Sequence, residues 1–393
     1  MSDITHQSTT ILPSGLELTC SKSIADLKSW TEANGDSTFL SPAFYLALED
    51  SPPSGTKFRY GLVSDKQGPL GVVYCQLKTI DLSESLRFEN VSKLRWSKRQ
   101  YTRLKQLLAK QIKYNTMVIG NMTLTGDYGH YFKDRCTDTW SVIREVADQM
   151  VTIYKAEGIK VSGVLLKDFE ADSLPAKMPE YAKFSVQPNM RLTIPVEWKS
   201  FDDYLDAMKS KYKVRVRRAR KKAVNLTKVE LSADEILQQK DTISALYQCV
   251  SDGAGFNLFQ LPDRYFYSLK HHLGEDMRLT AYYDGDSMVG FYTSIKNHGE
   301  LDAHFLGYDP DTNNQSQLYL NMLYDLVEEA INDGCSRLVM SRTALEIKSS
   351  VGAEATDMYL YLKATNGLIN SILPKALAYF IPEVKWQPRS PFK

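Results

Sequence analysis

The segment ELDAHFLGYDPDTNNQSQLYLNMLYDLVEEAINDGCSRLVMS, residues 300–341, predicts a strand, a helix and a second strand in that order. Apolar residues in its middle part recur every three or four positions and stop at Gly334, which is typical of an amphipathic helix that ends at a glycine. Residues 277–295 come before it and predict a hairpin with an Asp-Gly turn. A strand, helix and strand of this length close most simply as a parallel βαβ unit.

The first half of the chain repeats this order. Its hairpin, strand, glycine-terminated helix and returning strand are predicted at residues 58–80, 116–126, 140–158 and 161–169. The proline-bearing segment 171–190 separates the two halves. Because 393 residues suit two domains of ordinary size, we expect an α/β fold with two domains, residues 1–190 and 191–393.

Charge and cysteine content narrow the class of protein. Lys and Arg number 48 and Asp and Glu number 47, so no global field draws the chain to nucleic acid or to an anionic membrane. The five scattered cysteines have no CxxC spacing, which indicates free thiols in a reducing compartment. The sequence shows no apolar signal segment and no run of about 18 apolar residues. We therefore expect a cytoplasmic protein without a membrane span.

The most basic segment is KSKYKVRVRRARKK, residues 209–222. Residues 200–223 predict a single helix that starts with a capping box at Ser200 and has one apolar face. The basic segment contains no acid, so its cations repel one another unless an anion or an acidic neighbour lies beside them. We expect Arg217 and Arg220 to contact phosphate groups of a ligand. The alternative is a solvated basic face without a ligand.

A second basic segment, residues 93–114, interleaves basic and aromatic residues. This pattern can indicate nucleic acid. Because the chain as a whole is not basic and carries no RNA-binding motif, we do not expect a nucleic-acid partner, and tRNA remains the alternative.

Three segments resemble the acyl-CoA N-acyltransferase (GNAT) superfamily. Residues 198–224 look like the W-x-S-F-x-x-Y-L and K-x-R-x-R-x-x-R-K segment of its tandem-domain group, which includes CelD-like acetyltransferases and Fem-type peptidoglycan aminoacyltransferases. Residues 308–334 resemble the closing helix of that group, and residues 341–354 resemble its K-x-x-x-G-A ending. The resemblance covers most of the chain and implies two tandem GNAT-like domains, each a mixed twisted sheet flanked by helices.

This resemblance implies direct transfer of an acyl group from acyl-CoA, either acetyl-CoA or a longer thioester, to an amine of a small molecule or peptide. A general base would assist the transfer. No HExxH, Walker or GxSxG motif is present, so we expect no metal and no covalent nucleophile. Two alternatives stay open: a Fem-like transfer from aminoacyl-tRNA, and a non-catalytic module that binds a nucleotide or RNA. The long helical hairpin insertion of many Fem proteins has no counterpart here.

The general base is expected in the second half of the chain. Strand alternation predicts that Asp302 and His304 share one face of a strand, and a histidine beside a carboxylate is a usable base. Glu346 follows the next strand and is a further catalytic candidate. The alternative is that His304 is structural and that Glu346 pairs with Arg342 at the surface.

Ligand-binding candidates lie where the predicted strands end. GNAT enzymes bind the CoA pyrophosphate at a glycine-rich loop before a helix. The matching segment, residues 309–319, has no glycine and departs from that pattern, whereas residues 124–132 of the first half hold two glycines. The cofactor-binding candidates are Asn313, Asn314, Ser316, Arg217, Arg220 and Lys348. The substrate-binding candidates are Arg342, Thr343, Lys167 and Asp168.

Overall fold

The structure is a computed structural model that describes residues 7–81, 113–175, 177–253, 259–380 and 386–393. It is a mixed α/β protein with two mixed β-sheets flanked by helices. The strands are β1 (Ser8–Ile11), β2 (Glu17–Ser21), β3 (Thr56–Asp65), β4 (Gly68–Asp81), β5 (Lys113–Ile119), β6 (His130–Phe132), β7 (Val161–Phe169), β8 (Ala182–Ser185), β9 (Asn189–Thr193), β10 (Thr227–Glu230), β11 (Met277–Asp284), β12 (Ser287–Asn297), β13 (Glu300–Tyr308), β14 (Arg337–Ser341), β15 (Glu354–Thr356) and β16 (Tyr359–Ala364).

The helices cover the faces of these sheets. They are α1 (Pro42–Asp50), α2 (Thr139–Ala156), α3 (Phe201–Ala207), α4 (Ser210–Lys222), α5 (Ala233–Gln238), α6 (Lys240–Gly253), α7 (Tyr265–Leu273), α8 (Pro310–Ser316), α9 (Leu318–Asn332), α10 (Leu345–Ser350) and α11 (Gly367–Phe380). The two longest, α2 and α9, follow the predicted apolar spacing and bury that face against the sheets.

The two sheets share one arrangement. In the first sheet the strand order is β1-β2-β3-β4-β5-β7-β16-β8, with β6 paired to β4. Here β3, β4 and β5 are antiparallel neighbours, while β5 and β7 are parallel and α2 lies between them in the chain. In the second sheet the order is β10-β11-β12-β13-β14-β9-β15, and β11, β12, β13, α9 and β14 repeat the same pattern. The predicted hairpin, strand, helix and returning strand is therefore present in each half.

Strands cross between the two sheets. The C-terminal strand β16 inserts between β7 and β8 of the first sheet, while β9 lies between β14 and β15 of the second. Each sheet is thus completed by a strand that is distant in sequence from its neighbours. The boundary predicted at residue 190 falls inside β9 and remains a prediction.

The two halves also share a hydrophobic core. Phe44 and Leu48 of α1 and Phe266 and Leu269 of α7 are buried in one cluster that contains side chains of both halves. Surfaces between domains of one chain are usually more polar than a domain core. The shared apolar cluster therefore indicates that the halves pack firmly against each other.

Residues 200–223 form two helices, α3 and α4, and the prediction of a single helix was wrong. The backbone of Met208 is extended and forms an isolated β-bridge with Phe392, and the Lys209 N–H donates to the Pro391 carbonyl at 2.8 Å. The C-terminal tail therefore occupies backbone groups that a continuous helix would use. The predicted capping box at the start of α3 is confirmed.

Residues 309–319, the segment that matches the glycine-rich phosphate loop of the resembled family, contain α8. The Asp309 side chain accepts from the Thr312 N–H at 2.7 Å, and Pro310 occupies the first helical position. Gln317, with φ of 53°, then separates α8 from α9. The Asp-Pro pair that starts this helix is visible in the sequence, but the helix is only seven residues long.

Two expectations concern the chain as a whole. Within the described ranges no helix combines the length and the apolar character needed to cross a membrane. Residues 93–112 of the second basic segment, 93–114, lie outside the described part of the chain.

Candidate active site

A cavity of about 430 Å³ lies between the two halves of the chain. Its volume is in the range of small-molecule binding sites. The first half contributes the segment 122–125, and the second half contributes the C-terminal parts of β13 and β14 together with α6, α9 and α10. The described lining includes Met122, Thr123, Leu124, Thr125, Tyr247, Phe259, Tyr292, Thr293, Ala303, His304, Phe305, Leu306, Tyr308, Tyr319, Met340, Arg342, Thr343 and Lys348.

The cavity exists because two parallel strands separate. β13 and β14 pair only through residues 300–302 and 337–339, and the register between β12 and β13 shifts beyond that point. At the shift the Thr293 hydroxyl donates to the Phe305 carbonyl at 2.8 Å and accepts from the Phe305 N–H at 2.9 Å. A bulge of this kind bends its strand and redirects side chains.

The bulge changes the positions of the predicted catalytic pair. Ala303, His304 and Phe305 all border the cavity, whereas Asp302 is buried outside its lining. Simple strand alternation therefore does not hold across these residues, because the extra residue of the bulge interrupts it.

His304 lies in the cavity wall, but its protonation is strongly disfavoured. Its Nε2 lies 2.8 Å from the Tyr265 hydroxyl oxygen. Burial lowers the pKa of His304 to about 3, and burial raises the pKa of Tyr265 above its ordinary value. The tyrosine hydroxyl therefore donates to a neutral imidazole, which suits a structural or orienting role better than that of a base.

Lys348 is a buried amine in the cavity wall. Its Nζ donates to the carbonyl oxygens of Arg342 at 2.5 Å and Ser341 at 3.4 Å. Burial lowers the pKa of Lys348 to about 7, and the nearby Asp302 opposes this shift. Burial also raises the pKa of Asp302 to about 8, with Glu300 adding to the effect. A group that titrates near neutrality beside a cavity is a candidate general base.

The connection from β14 to α10 brings Arg342 and Lys348 to the same cavity. Ser341, Thr343 and Ala344 have φ values of 59°, 67° and 48°. Such left-handed conformations are uncommon for residues other than glycine and are often found at functional sites. The tight turn reverses the chain, so Thr343 also borders the cavity.

Three of the four predicted substrate-binding residues meet in one buried cluster. The fully buried carboxylate of Asp168 accepts from Lys167 Nζ and from Arg342 Nη2. Lys167 also donates to the Leu124 carbonyl at 2.8 Å. Burial opposes ionisation of Asp168, but the charges of Lys167 and Arg342 outweigh burial and lower the pKa of Asp168. The cluster connects the end of β7 in the first half to the end of β14 in the second.

Three of the predicted cofactor-binding residues, Asn313, Asn314 and Ser316, lie outside this cavity. Asn313 Oδ1 accepts from the Tyr319 N–H at 2.8 Å, and the Ser316 hydroxyl donates to the Thr312 carbonyl at 2.7 Å. Asn314 is exposed. The polar groups of Asn313 and Ser316 therefore serve the α8–α9 junction itself.

Glu346 also lies away from the cavity. Its carboxylate is 3.1 Å from Arg389 Nη2 and accepts from the Gln387 N–H at 3.3 Å. Arg342 pairs with Asp168 instead of Glu346. The sequence could not show this choice of partner, since Asp168 is far from Arg342 in the chain.

The basic helix α4 is partly neutralised by acids. Arg220 Nη1 lies 2.6 Å from Asp325, its Nη2 lies 3.3 Å from Glu328, and its guanidinium lies over the Phe201 ring. Arg217 is exposed, and both Arg217 and Arg220 border a separate groove of about 580 Å³. The structure therefore gives Arg220 a structural contact and leaves Arg217 accessible to a ligand.

Arg220→Ala is expected to destabilise the fold by about 1–3 kcal/mol, because it removes a charged hydrogen bond to the buried Asp325. Asp325 keeps Lys228 and Tyr282 as partners, so the loss stays within that range. Urea unfolding followed by circular dichroism measures it. The exposed Arg218→Ala is the control, expected within about 0.5 kcal/mol of wild type. Equal stability of the two variants would contradict the pairing of Arg220.

Two site features were not predicted from the sequence. Tyr265 lies in a segment without any motif, and no signal marks it. The segment 122–125 overlaps the loop considered as a phosphate site in the first half; in the structure it forms a wall of the cavity. Among the described residues no group of three or more His, Cys, Asp or Glu side chains could hold a metal ion.

Residues 210–349 match the family model described as "Acetyltransferase (GNAT) domain". No curated protein matches the chain. Similar solved structures include FemX, at 12% identity and a TM-score of 0.49, covering 84% of this chain and 93% of that chain. A tandem GNAT protein from the clavulanic acid biosynthesis pathway has 9% identity and a TM-score of 0.46, covering 83% and 88%. A probable N-acyltransferase from Enterococcus faecalis V583 has 11% identity and a TM-score of 0.43, covering 89% and 72%.

Proposed function

We propose that the chain is an N-acyltransferase that transfers an acyl group from acyl-CoA directly to an amine in the cavity between β13 and β14, and the match of residues 210–349 to the acetyltransferase (GNAT) domain model supports this proposal. The observation that carries this proposal is the position of Lys348. Its amine lies in the cavity wall, and burial lowers its pKa to about 7, so uncharged amine is present at neutral pH.

The proposed reaction needs one proton acceptor. The uncharged acceptor amine attacks the thioester carbonyl carbon, a C–N bond forms and the C–S bond breaks. The Lys348 amine takes the proton that the attacking nitrogen loses, and the resulting ammonium protonates the departing CoA thiolate. The products are an amide and free CoA, and Lys348 returns to its starting state.

We place the reaction in the second half of the chain. Lys348 and His304 both belong to it. In the first half, the equivalent strand end carries Lys167 and Asp168, and their buried charges are engaged with Leu124 and Arg342. The first half thus contributes one wall of the cavity and, through Asp168, the carboxylate that holds Arg342. We also retain the cytoplasmic location and the boundary at residue 190 as predictions.

A donor other than CoA is the second candidate, and α8 favours it. The segment that would be the pyrophosphate loop is a helix whose polar side chains bond within the α8–α9 junction. The exposed cations of α4, such as Arg217, would then contact the phosphates of an aminoacyl-tRNA, as the Fem-like alternative requires.

A thermal-shift titration with acetyl-CoA, longer acyl-CoAs and free CoA tests the proposal. A ligand at 100 times its Kd stabilises the folded state by about 2.7 kcal/mol, so a rise in Tm of a few degrees is expected. Transfer is then measured as release of free CoA thiol in the presence of an amine. Absence of any shift with every CoA compound would contradict acyl-CoA as the donor and direct the test to aminoacyl-tRNA.

A further inference from the structure

The ionisable side chains in the cavity lining are basic. Among the cavity residues that the structure describes, Arg342 and Lys348 are the only ones with a formal charge, and no carboxylate borders the cavity. A cationic substrate group such as a polyamine or a lysine side chain would meet no opposite charge here. A substrate with a negatively charged group would find an opposite charge on these basic side chains.

The cluster beside the cavity joins two basic side chains to one carboxylate. Lys167 and Arg342 share the single carboxylate of Asp168. Lys167 and Asp168 are buried, and the Arg342 side chain is 20% exposed. Asp127 also attracts Lys167, but its side chain is 30% exposed and lies 3.2 Å from His130. Buried charge without a partner is unfavourable, so the cluster favours the arrival of one anionic group.

Arg342 is held in position for such a group. Its Nε donates to the Gln187 carbonyl at 3.0 Å, and its Nη2 donates to Asp168. Its third nitrogen, Nη1, has no hydrogen-bond partner in the part of the chain that the structure describes. A guanidinium anchored on one side and open on the other is well suited to a carboxylate, which it binds with charge-assisted hydrogen bonds.

The rest of the cavity favours an apolar substituent. Aromatic rings and aliphatic groups make up most of the lining, among them Tyr247, Phe305, Tyr308 and Leu306. Such a surface stabilises a hydrocarbon or aromatic side chain by removing it from water.

We propose that the acceptor is the amine of an apolar or aromatic amino acid, whose carboxylate binds Arg342 while its amine faces Lys348. This inference rests on the proposed function, since it names the substrate class of the same site. A carboxylate fits Arg342 better than a phosphate, because Nη1 is the one guanidinium nitrogen of Arg342 that lacks a partner in the described part of the chain, and a doubly charged phosphate would need further donors. The product would be an N-acyl amino acid.

Binding tests the inference without any turnover. The full chain is titrated by calorimetry with N-acetylphenylalanine and with its uncharged amide. We expect the acid to bind at least tenfold more tightly than the amide, and Arg342→Gln to abolish the difference. Arg278→Gln is the matched control, because Arg278 is a partly buried guanidinium paired with Asp333 away from the cavity. That variant is expected to keep the preference.

Arg342→Lys separates loss of charge from loss of fold, since it retains the positive charge and is expected to keep part of the preference for the acid. Equal binding of the acid and the amide to the wild-type chain, or no binding of either, would overturn the inference. Tighter binding of phosphoethanolamine than of phenylalanine would overturn it as well, in favour of a phosphate.

Turnover distinguishes this inference from the proposed function. With acetyl-CoA as donor, phenylalanine is expected to react with a kcat/KM at least tenfold above that of 2-phenylethylamine, which lacks the carboxylate. Equal rates for the two amines would support the proposed function and overturn the inference. A preference for the acid in calorimetry with no transfer from acetyl-CoA to either amine would support the inference and contradict acyl-CoA as the donor.

Discussion

Replacing Lys348 with methionine is expected to lower kcat by about 10²- to 10⁴-fold, the usual contribution of a general base. The variant retains the length of the side chain and removes the amine that lies in the cavity wall. Stopped assays of CoA release, at saturating acetyl-CoA and amine, measure the loss. A kcat within threefold of wild type would exclude Lys348 as the base.

The matched control is Lys270→Met. Lys270 is also buried, and its Nζ donates to the Met277 carbonyl at 2.9 Å, but it does not border the cavity. Both variants lose a buried amine that is bonded to a backbone carbonyl, and Lys270→Met also loses a 3.5 Å contact with the partly exposed Glu230, so the control is expected to lose at least as much stability. Only Lys348→Met is expected to lose activity. A similar loss in both would attribute the effect to folding.

The pH dependence gives a second readout for Lys348. The base must be uncharged, so kcat/KM is expected to rise with pH through an apparent pKa of about 7. A lysine with an ordinary pKa of about 10.4 would place this rise far higher. The acceptor amine titrates too, and the rise near 7 should therefore disappear in Lys348→Met while any rise due to the amine remains.

Asp168→Asn is expected to destabilise the fold by about 3–5 kcal/mol. The change leaves Lys167 and Arg342 close together without the carboxylate that both contact, and removal of one member of a buried ionic cluster has a cost of this size. The cluster joins β7 to β14 and holds Arg342 in place. Since Arg342 is no longer held in the variant, we also expect a higher KM for the acceptor. Urea unfolding and steady-state kinetics measure the two effects.

The exposed ion pair of Asp148 and Lys363 provides the control for Asp168. Asp148→Asn removes a 3.5 Å contact of a side chain that is 63% exposed, and its effect should stay within about 0.5 kcal/mol. A loss below 1 kcal/mol in Asp168→Asn would contradict the buried cluster.

Acid should diminish the difference between wild type and Asp168→Asn. The folded-state pKa of Asp168 is lowered below its ordinary value of 3.8, so its stabilising contribution is complete above that value. The contribution is lost as the pH falls through the folded pKa. The difference in unfolding free energy is therefore expected to be constant near neutral pH and to shrink below about pH 4.

The order of the helices and strands follows from local patterns in the sequence. The apolar period of α9, the glycine after it and the Asp-Gly turn between β11 and β12 are local signals, because helix spacing, glycine caps and hairpin turns depend on residues within a few positions. The repeat of this order predicted two sheets of one kind, which the structure shows. The resemblance of residues 198–224 and 341–354 predicted the GNAT family, and the match of residues 210–349 agrees with it.

The residues of the site come together through long-range packing, which local patterns do not reveal. Arg342 meets Asp168 across 174 positions of sequence, and no local pattern specifies such a partner. The pKa of Lys348 and that of His304 are lowered by burial, and burial is set by segments such as 122–125 that reach the cavity from the other half of the chain. The sequence predicted Lys348 as a cofactor-binding residue, whereas we propose it as the base. Residue type does not reveal this role, because desolvation depends on the whole fold.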